Sequence, residues 1–147
     1  MDSTYTPEEQ RLIDVWEGHL RCEFADRDAA ATVATMSDDN YVNHVPVMTG
    51  GRGRDEMLAF YGSHFIPKMV EVPLVVVVQL RAGKVVCERI YWDQASVLVQ
   101  LGLLDPSHLP VAGADTARKV LNPGLPSNDL IRRAAAPGGA RSNVQSV

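Results

Sequence analysis

The segment from Val72 to Gln100 constrains this chain most. Four consecutive valines, Val75 to Val78, sit inside the run Val72-Pro73-Leu74-Val75-Val76-Val77-Val78-Gln79-Leu80-Arg81. β-Branched side chains are stiff at χ1 and pack well on a pleated backbone, so the run reads as a strand. No polar residue alternates through the valines, so both faces demand cover and the strand is expected in the interior of a sheet. Ala82-Gly83 supplies a short turn with glycine available for a positive φ, and Lys84 to Asp93 supplies the returning antiparallel strand. Period-two alternation sets Val86, Glu88, Ile90 and Trp92 on one face and Val85, Cys87, Arg89 and Tyr91 on the other. Asp93 then stands where a short carboxylate can cap a helix through Gln94, Ala95, Ser96, Val97 and Leu98.

At 147 residues with 46% hydrophobic content, the chain is long enough for one domain with a true core. A formal net charge of −4 gives no electrostatic footprint for nucleic acid, and the longest apolar run is far too short to span a membrane. Cys22 and Cys87 fit reduced, buried thiols better than a disulfide framework. Met1-Asp2-Ser3-Thr4 lacks the basic start and apolar core of a secretory signal, and a cytoplasmic location is expected.

Thr6-Pro7-Glu8-Glu9 carries concurring signals for a helix start: a capping hydroxyl, proline at the first helical position and a glutamate placed to complete a capping box. Leu12, Ile13, Trp16, Leu20 and Phe24 recur at helical spacing and predict one apolar stripe lying on a sheet. Asp26-Arg27-Asp28 breaks that helix, and Asp28 caps a second one running through Val33 to Met36. Asp38-Asp39-Asn40 predicts a turn, Tyr41 to Val45 a short strand, and Thr49-Gly50-Gly51-Arg52-Gly53 a loop. A third helix is expected from about Arg54 to Phe65, with Met57, Leu58, Tyr61 and Phe65 on one side and Pro67 as its stop. Beyond Asp105-Pro106 the chain is proline-rich. Residues 1–104 are expected to form the domain and 105–147 an extended tail, with one helical turn at Ala114 to Val120 and disorder from Ala134.

This order of elements resembles the nuclear transport factor 2-like superfamily, and within it the SnoaL-like polyketide cyclase branch. The resemblance is carried by Phe24-Ala25-Asp26-Arg27-Asp28 between the first helices, by Gly50 to Tyr61 entering the third, and by Gly83-Lys84-Val85 through Tyr91-Trp92-Asp93 to Gln100-Leu101-Gly102. It implies an α+β fold in which a cone-like, curved antiparallel sheet packs on N-terminal helices around a pocket, commonly as a homodimer. One feature departs from the family. A pair of long strands should follow the third helix, but here Phe65-Ile66-Pro67-Lys68-Met69 joins Val70-Glu71-Val72 directly, leaving a shortened sheet with an exposed edge.

The resemblance also implies cofactor-independent acid/base chemistry, of isomerase, cyclase or lyase type, on a small apolar carbonyl compound, with neither metal nor organic cofactor. A carboxyl in a dry pocket has its charged form disfavoured and becomes a usable acid or base near neutrality. Glu88, between Val86 and Ile90, is the first candidate for that role, and its alternative is a hydrated carboxylate on an outward face. His44 is the second candidate acid/base, its alternative an edge histidine bonded to backbone. Trp92 is a candidate wall for a flat substrate, and Tyr41, Tyr61 and Tyr91 are candidate donors to a developing enolate oxygen. Asp93 and Trp16 read as helix cap and core. The histidines at 19, 44, 64 and 108 are scattered without ligand spacing and neither cysteine has a near partner, so no metal site is expected, and no nucleophile-elbow serine is present. A non-catalytic ligand-binding or dimerisation domain of the same fold, or an inactive truncated form, is the alternative to an enzyme.

Overall fold

The computed structural model describes residues 4–63, 69–107 and 109–127. Its contacts divide the chain into two units, one made of the residues up to Met69 together with Leu74–Asp93, the other of Val70–Pro73 together with the chain from Gln94 onward.

In the first unit α1 (Pro7–Leu20) begins with the expected capping box. The Thr6 hydroxyl accepts from the Glu9 amide at 3.2 Å, while the Glu9 carboxylate accepts from the Thr6 amide at 2.7 Å. α1 runs directly into one π-helical turn, Arg21–Asp26, which ends at Arg27 with a left-handed φ of 52°. Asp28 caps α2 (Ala29–Ala34), its carboxylate accepting from the Ala31 amide at 2.9 Å. The second helix is therefore shorter than the sequence predicts, because Met36 already belongs to a strand. The apolar stripe also differs from expectation. Leu12 and Phe24 are exposed, whereas His19 and Glu23 are the buried positions. The helix turns inward not the centre of its apolar stripe but the edge that carries Trp16, His19 and Glu23.

Four strands form one sheet in the order β2-β1-β4-β3: β1 (Met36–His44), β2 (Thr49–Arg52), β3 (Leu74–Arg81) and β4 (Lys84–Trp92). The outer pairs are antiparallel, but the central pair β1/β4 is parallel, so the sheet is mixed where an antiparallel one is expected. Asp38-Asp39-Asn40 does not break the chain into a turn. The three residues lie inside β1 at a register irregularity against β4 between Met36 and Tyr41, where the Asn40 amide donates to the Ser37 carbonyl at 2.7 Å. Turn-forming residues here are spent on a bulge. Thr49 to Arg52 is likewise an edge strand and not a loop. Glycine is required at position 50 because a Cβ there would lie 1.9 Å from the Val42 carbonyl oxygen.

The hairpin of β3 and β4 turns at Ala82 and Gly83, both at positive φ (50° and 72°), the geometry of a primed two-residue turn. β3 is an edge strand. Its valines alternate, Val76 and Val78 packing against the core while Val75 and Val77 are 64% and 49% exposed. The interior position expected for this strand needs a further strand beside it. Among the described residues none lies between α3 (Gly53–Ser63) and Leu74. On β4 a register shift opposite Gln79 and Leu80 puts Val85, in place of Val86, in the cluster with Val42, Met57, Tyr61 and Ile90. Phe60 joins that cluster from α3, while Phe65 lies outside the described residues.

The second unit contains α4 (Gln94–Gln100) and α5 (Asp115–Leu121), the latter where one helical turn is expected. The Gln100 amide accepts from the Glu71 N–H and donates to the Glu71 carbonyl, each at 2.8 Å, the pair of bonds a neighbouring strand would make. Arg118 grips the Glu71 carboxylate through Nε and Nη2 at 3.1 and 2.6 Å. Ala134 and the residues after it lie outside the described residues.

Candidate functional site

The inward edge of α1 meets the middle of β4. His19 is completely buried, and Glu23 and Glu88 are 5% and 1% exposed. His19 Nε2 stands 3.1 Å from Glu88 Oε1 and 3.6 Å from Glu23 Oε2. The spacing from His19 to Glu23 is i, i+4, which puts both side chains on one helical face. Glu23 sits in the π-helical turn, a local widening often found where a helix presents functional groups. Glu88 is delivered from the sheet by strand alternation, beside its β1 neighbour Val42.

The imidazole is held from several sides. The Thr35 hydroxyl donates to the Thr32 carbonyl at 2.6 Å, so its lone pair is free to accept from His19 Nδ1–H, also at 2.6 Å. That bond assigns a proton to Nδ1 and aims Nε2 at the two carboxyl groups. Trp16 stacks on the ring, centroids 5.4 Å apart and planes 14° from parallel. The Tyr61 hydroxyl from α3 stands 3.5 Å from Nε2.

The electrostatics follow from burial. Glu23 is pushed up to about 7, first by desolvation and second by the negative charge of Glu88, with His19 opposing both. Desolvation and the charges of Glu88 and Glu23 raise the Tyr61 hydroxyl far above its ordinary value, so it stays an O–H donor. Glu88 Oε1, although 3.1 Å from His19 Nε2, lies outside hydrogen-bonding geometry and has no hydrogen-bond partner. Among the described residues no lysine or arginine pairs with Glu23 or Glu88. The cluster holds two carboxyl groups and a histidine with no fixed cation, so protons or a metal ion must balance it. Distances this short let a proton pass between carboxyl and imidazole.

Of the residues picked out in the sequence, Glu88 and Tyr61 are brought together here. His44 shares the core-facing side of β1 with Val42, half-buried, its ring 5.5 Å from that of Phe60. Trp92 packs against the core from the end of β4, and its indole N–H is buried with no hydrogen-bond partner among the described residues. Tyr41 and Tyr91 are exposed on the opposite side of the sheet, away from Glu88. Sequence reading missed His19 and Glu23. Comparing histidines only with one another hid a histidine and a glutamate four residues apart on a helix, and that spacing was the available signal.

No protein-family model and no curated protein matches the chain. Among solved structures, a protein with a ketosteroid isomerase-like fold from Catenulispora acidiphila, in complex with trimethylamine, superposes with a TM-score of 0.51 at 15% identity, covering 68% of this chain and 96% of that one. A nuclear transport factor 2-like protein of unknown function from Burkholderia xenovorans gives a TM-score of 0.46 at 17% identity over 63% and 93% of the two chains. ActVI-ORFA from Streptomyces coelicolor gives 0.45 at 10% identity over 60% and 98%. The Catenulispora superposition shows the fold: this chain has the ketosteroid isomerase-like architecture, with a four-stranded sheet among its described residues. No helix among those residues is long and apolar enough to cross a membrane.

Proposed function

We propose that this chain is a SnoaL-like acid/base catalyst that moves a proton on a small, largely apolar carbonyl compound, in an isomerase, cyclase or lyase reaction. The observation that carries the reading is the buried His19–Glu23–Glu88 cluster, whose carboxyl groups have no fixed cation to neutralise them. Glu88, with one oxygen lacking a hydrogen bond, takes the proton, and His19, held by Thr35, stabilises the charge that moves. Tyr61 donates toward the developing enolate oxygen. Trp92 walls the approach and offers its unpaired N–H, and His44 is the second acid/base farther along the same sheet face. Tyr41 and Tyr91, on the opposite side, have no part in this site. The Catenulispora protein holds a small ligand, trimethylamine.

The test is proton exchange at carbon. A panel of small cyclic ketones is incubated in D2O with the protein, and deuterium incorporation next to the carbonyl is followed by NMR. The reading expects exchange above buffer for some member, lost in Glu88→Gln and weakened in His44→Ala. Exchange equal to buffer throughout, or undiminished in Glu88→Gln, contradicts it.

A second reading rests on the exposed edge. Leu74, Val75 and Val77 are all about half exposed or more, and among the described residues no strand lies beside the outer backbone groups of β3. Pairing of two β3 edges would make a homodimer. Light scattering reads this directly, a single-chain mass at high concentration being the contrary result.

A further inference from the structure

We propose that His19, Glu23 and Glu88 form a binding site for one divalent transition-metal ion of the zinc or manganese class, buried between α1 and β4. The inference rests on geometry and charge and not on the acid/base reading above. One atom from each residue, His19 Nε2 and a carboxylate oxygen of each glutamate, lies within 4.8 Å of the others. Two ligands about 2.1 Å from a tetrahedral ion stand roughly 3.4 Å apart. The 3.1 and 3.6 Å separations from Nε2 bracket that distance.

Three further observations point to a cation. Glu88 Oε1 is buried and aimed into the cluster without a hydrogen-bond partner. His19 carries the feature expected behind a metal ligand, its Nδ1–H donated to the Thr35 hydroxyl so that the Nε2 lone pair faces the site. Among the described residues no lysine or arginine balances the two carboxylates, and a divalent ion would neutralise both. A water would complete four-coordination. One imidazole with two carboxylates suits zinc or manganese better than a thiolate-seeking ion.

Ion and proton compete for the same electron pairs, so a loaded site would be silent in the proton-exchange assay. Binding itself needs no substrate to be seen. Chelator-treated full-length protein is incubated with Co2+ as a spectroscopic stand-in for zinc. Bound metal is measured by equilibrium dialysis, and its visible absorption reports the coordination. The expected result is one ion per chain, lost in Glu23→Gln, with near-ultraviolet circular dichroism confirming that the variant is folded. Thr35→Val keeps every ligand but removes the acceptor behind His19, and is expected to weaken binding about 10–100-fold. An ion held adventitiously on the surface would be indifferent to both changes. No ion retained by the folded wild-type protein, or retention unaltered in Glu23→Gln and Thr35→Val, overturns the site. Run on chelator-treated protein, the ketone exchange experiment stands or falls by itself whichever result is obtained.

Discussion

The inner side of β4 and the outer side of β3 reverse the usual placement of polar and apolar groups. Inside, the sheet buries a glutamate against a second glutamate and a histidine. Outside, its edge leaves Val75 and Val77 in solvent. Burying a carboxylate without a fixed partner costs several kcal/mol, and leaving a valine exposed forgoes about 1.5–3 kcal/mol. The two departures have different physical sources. The inner one is assembled by α1, the π-helical turn that continues it and β4, and is braced by Thr35, Trp16 and Tyr61, the arrangement on which the proposed site rests. The outer one follows from the lack of a neighbouring strand among the described residues, which leaves an edge open to pairing.

Removing the centre of the inner cluster should have the largest effect. His19→Ala leaves two buried carboxyl groups facing a cavity, and denaturant unfolding at neutral pH should show a loss of about 3–5 kcal/mol. A change below about 1 kcal/mol would mean that the cluster is hydrated and open.

Next in size is the pH dependence of the metal-free protein. Glu23 titrates at about 7 when folded, against 4.5 ordinarily, so over that interval the folded chain holds the proton more tightly than the unfolded chain does. Its stabilising contribution is complete below pH 4.5, falls as pH rises through 7, and levels off above. A shift of this size corresponds to about 3 kcal/mol. The slope should flatten in Glu23→Gln, and a variant keeping the full slope would assign it elsewhere.

Thr6→Ala removes the capping box that starts α1 and should cost about 1 kcal/mol without altering the pH slope. If the slope changed as well, the cluster would depend on the whole helix and not on its last turns. At the outer edge, Val75→Lys should move stability by no more than about 0.5 kcal/mol while abolishing any dimer. A large loss of stability in the monomer would show that the edge is covered within the chain.

The same contrast explains what the sequence could disclose. The capping box at Thr6, the Asp28 cap and the Ala82-Gly83 hairpin are local, each decided by a few adjacent residues, and each was legible. Placing β3 inside or at the edge depends on what pairs with it, which four valines cannot say. Asp38-Asp39-Asn40 carries turn chemistry but is taken up as an unpaired bulge inside β1, while Thr49 to Arg52 is drawn into a strand by pairing with β1. In the site, Glu88 was legible because one carboxylate among apolar residues on a strand stands out. His19 and Glu23 were obscured because an apolar stripe beside them suggested a different inward face.

The most direct measurement is a carbon-13 NMR titration of the glutamate side-chain carboxyls in chelator-treated protein, with Glu23→Gln identifying the resonance. The account predicts one carboxyl, Glu23, titrating near pH 7. A Glu23 signal that titrates near its ordinary value of 4.5 would contradict it, because burial and the neighbouring Glu88 charge would then not be raising it.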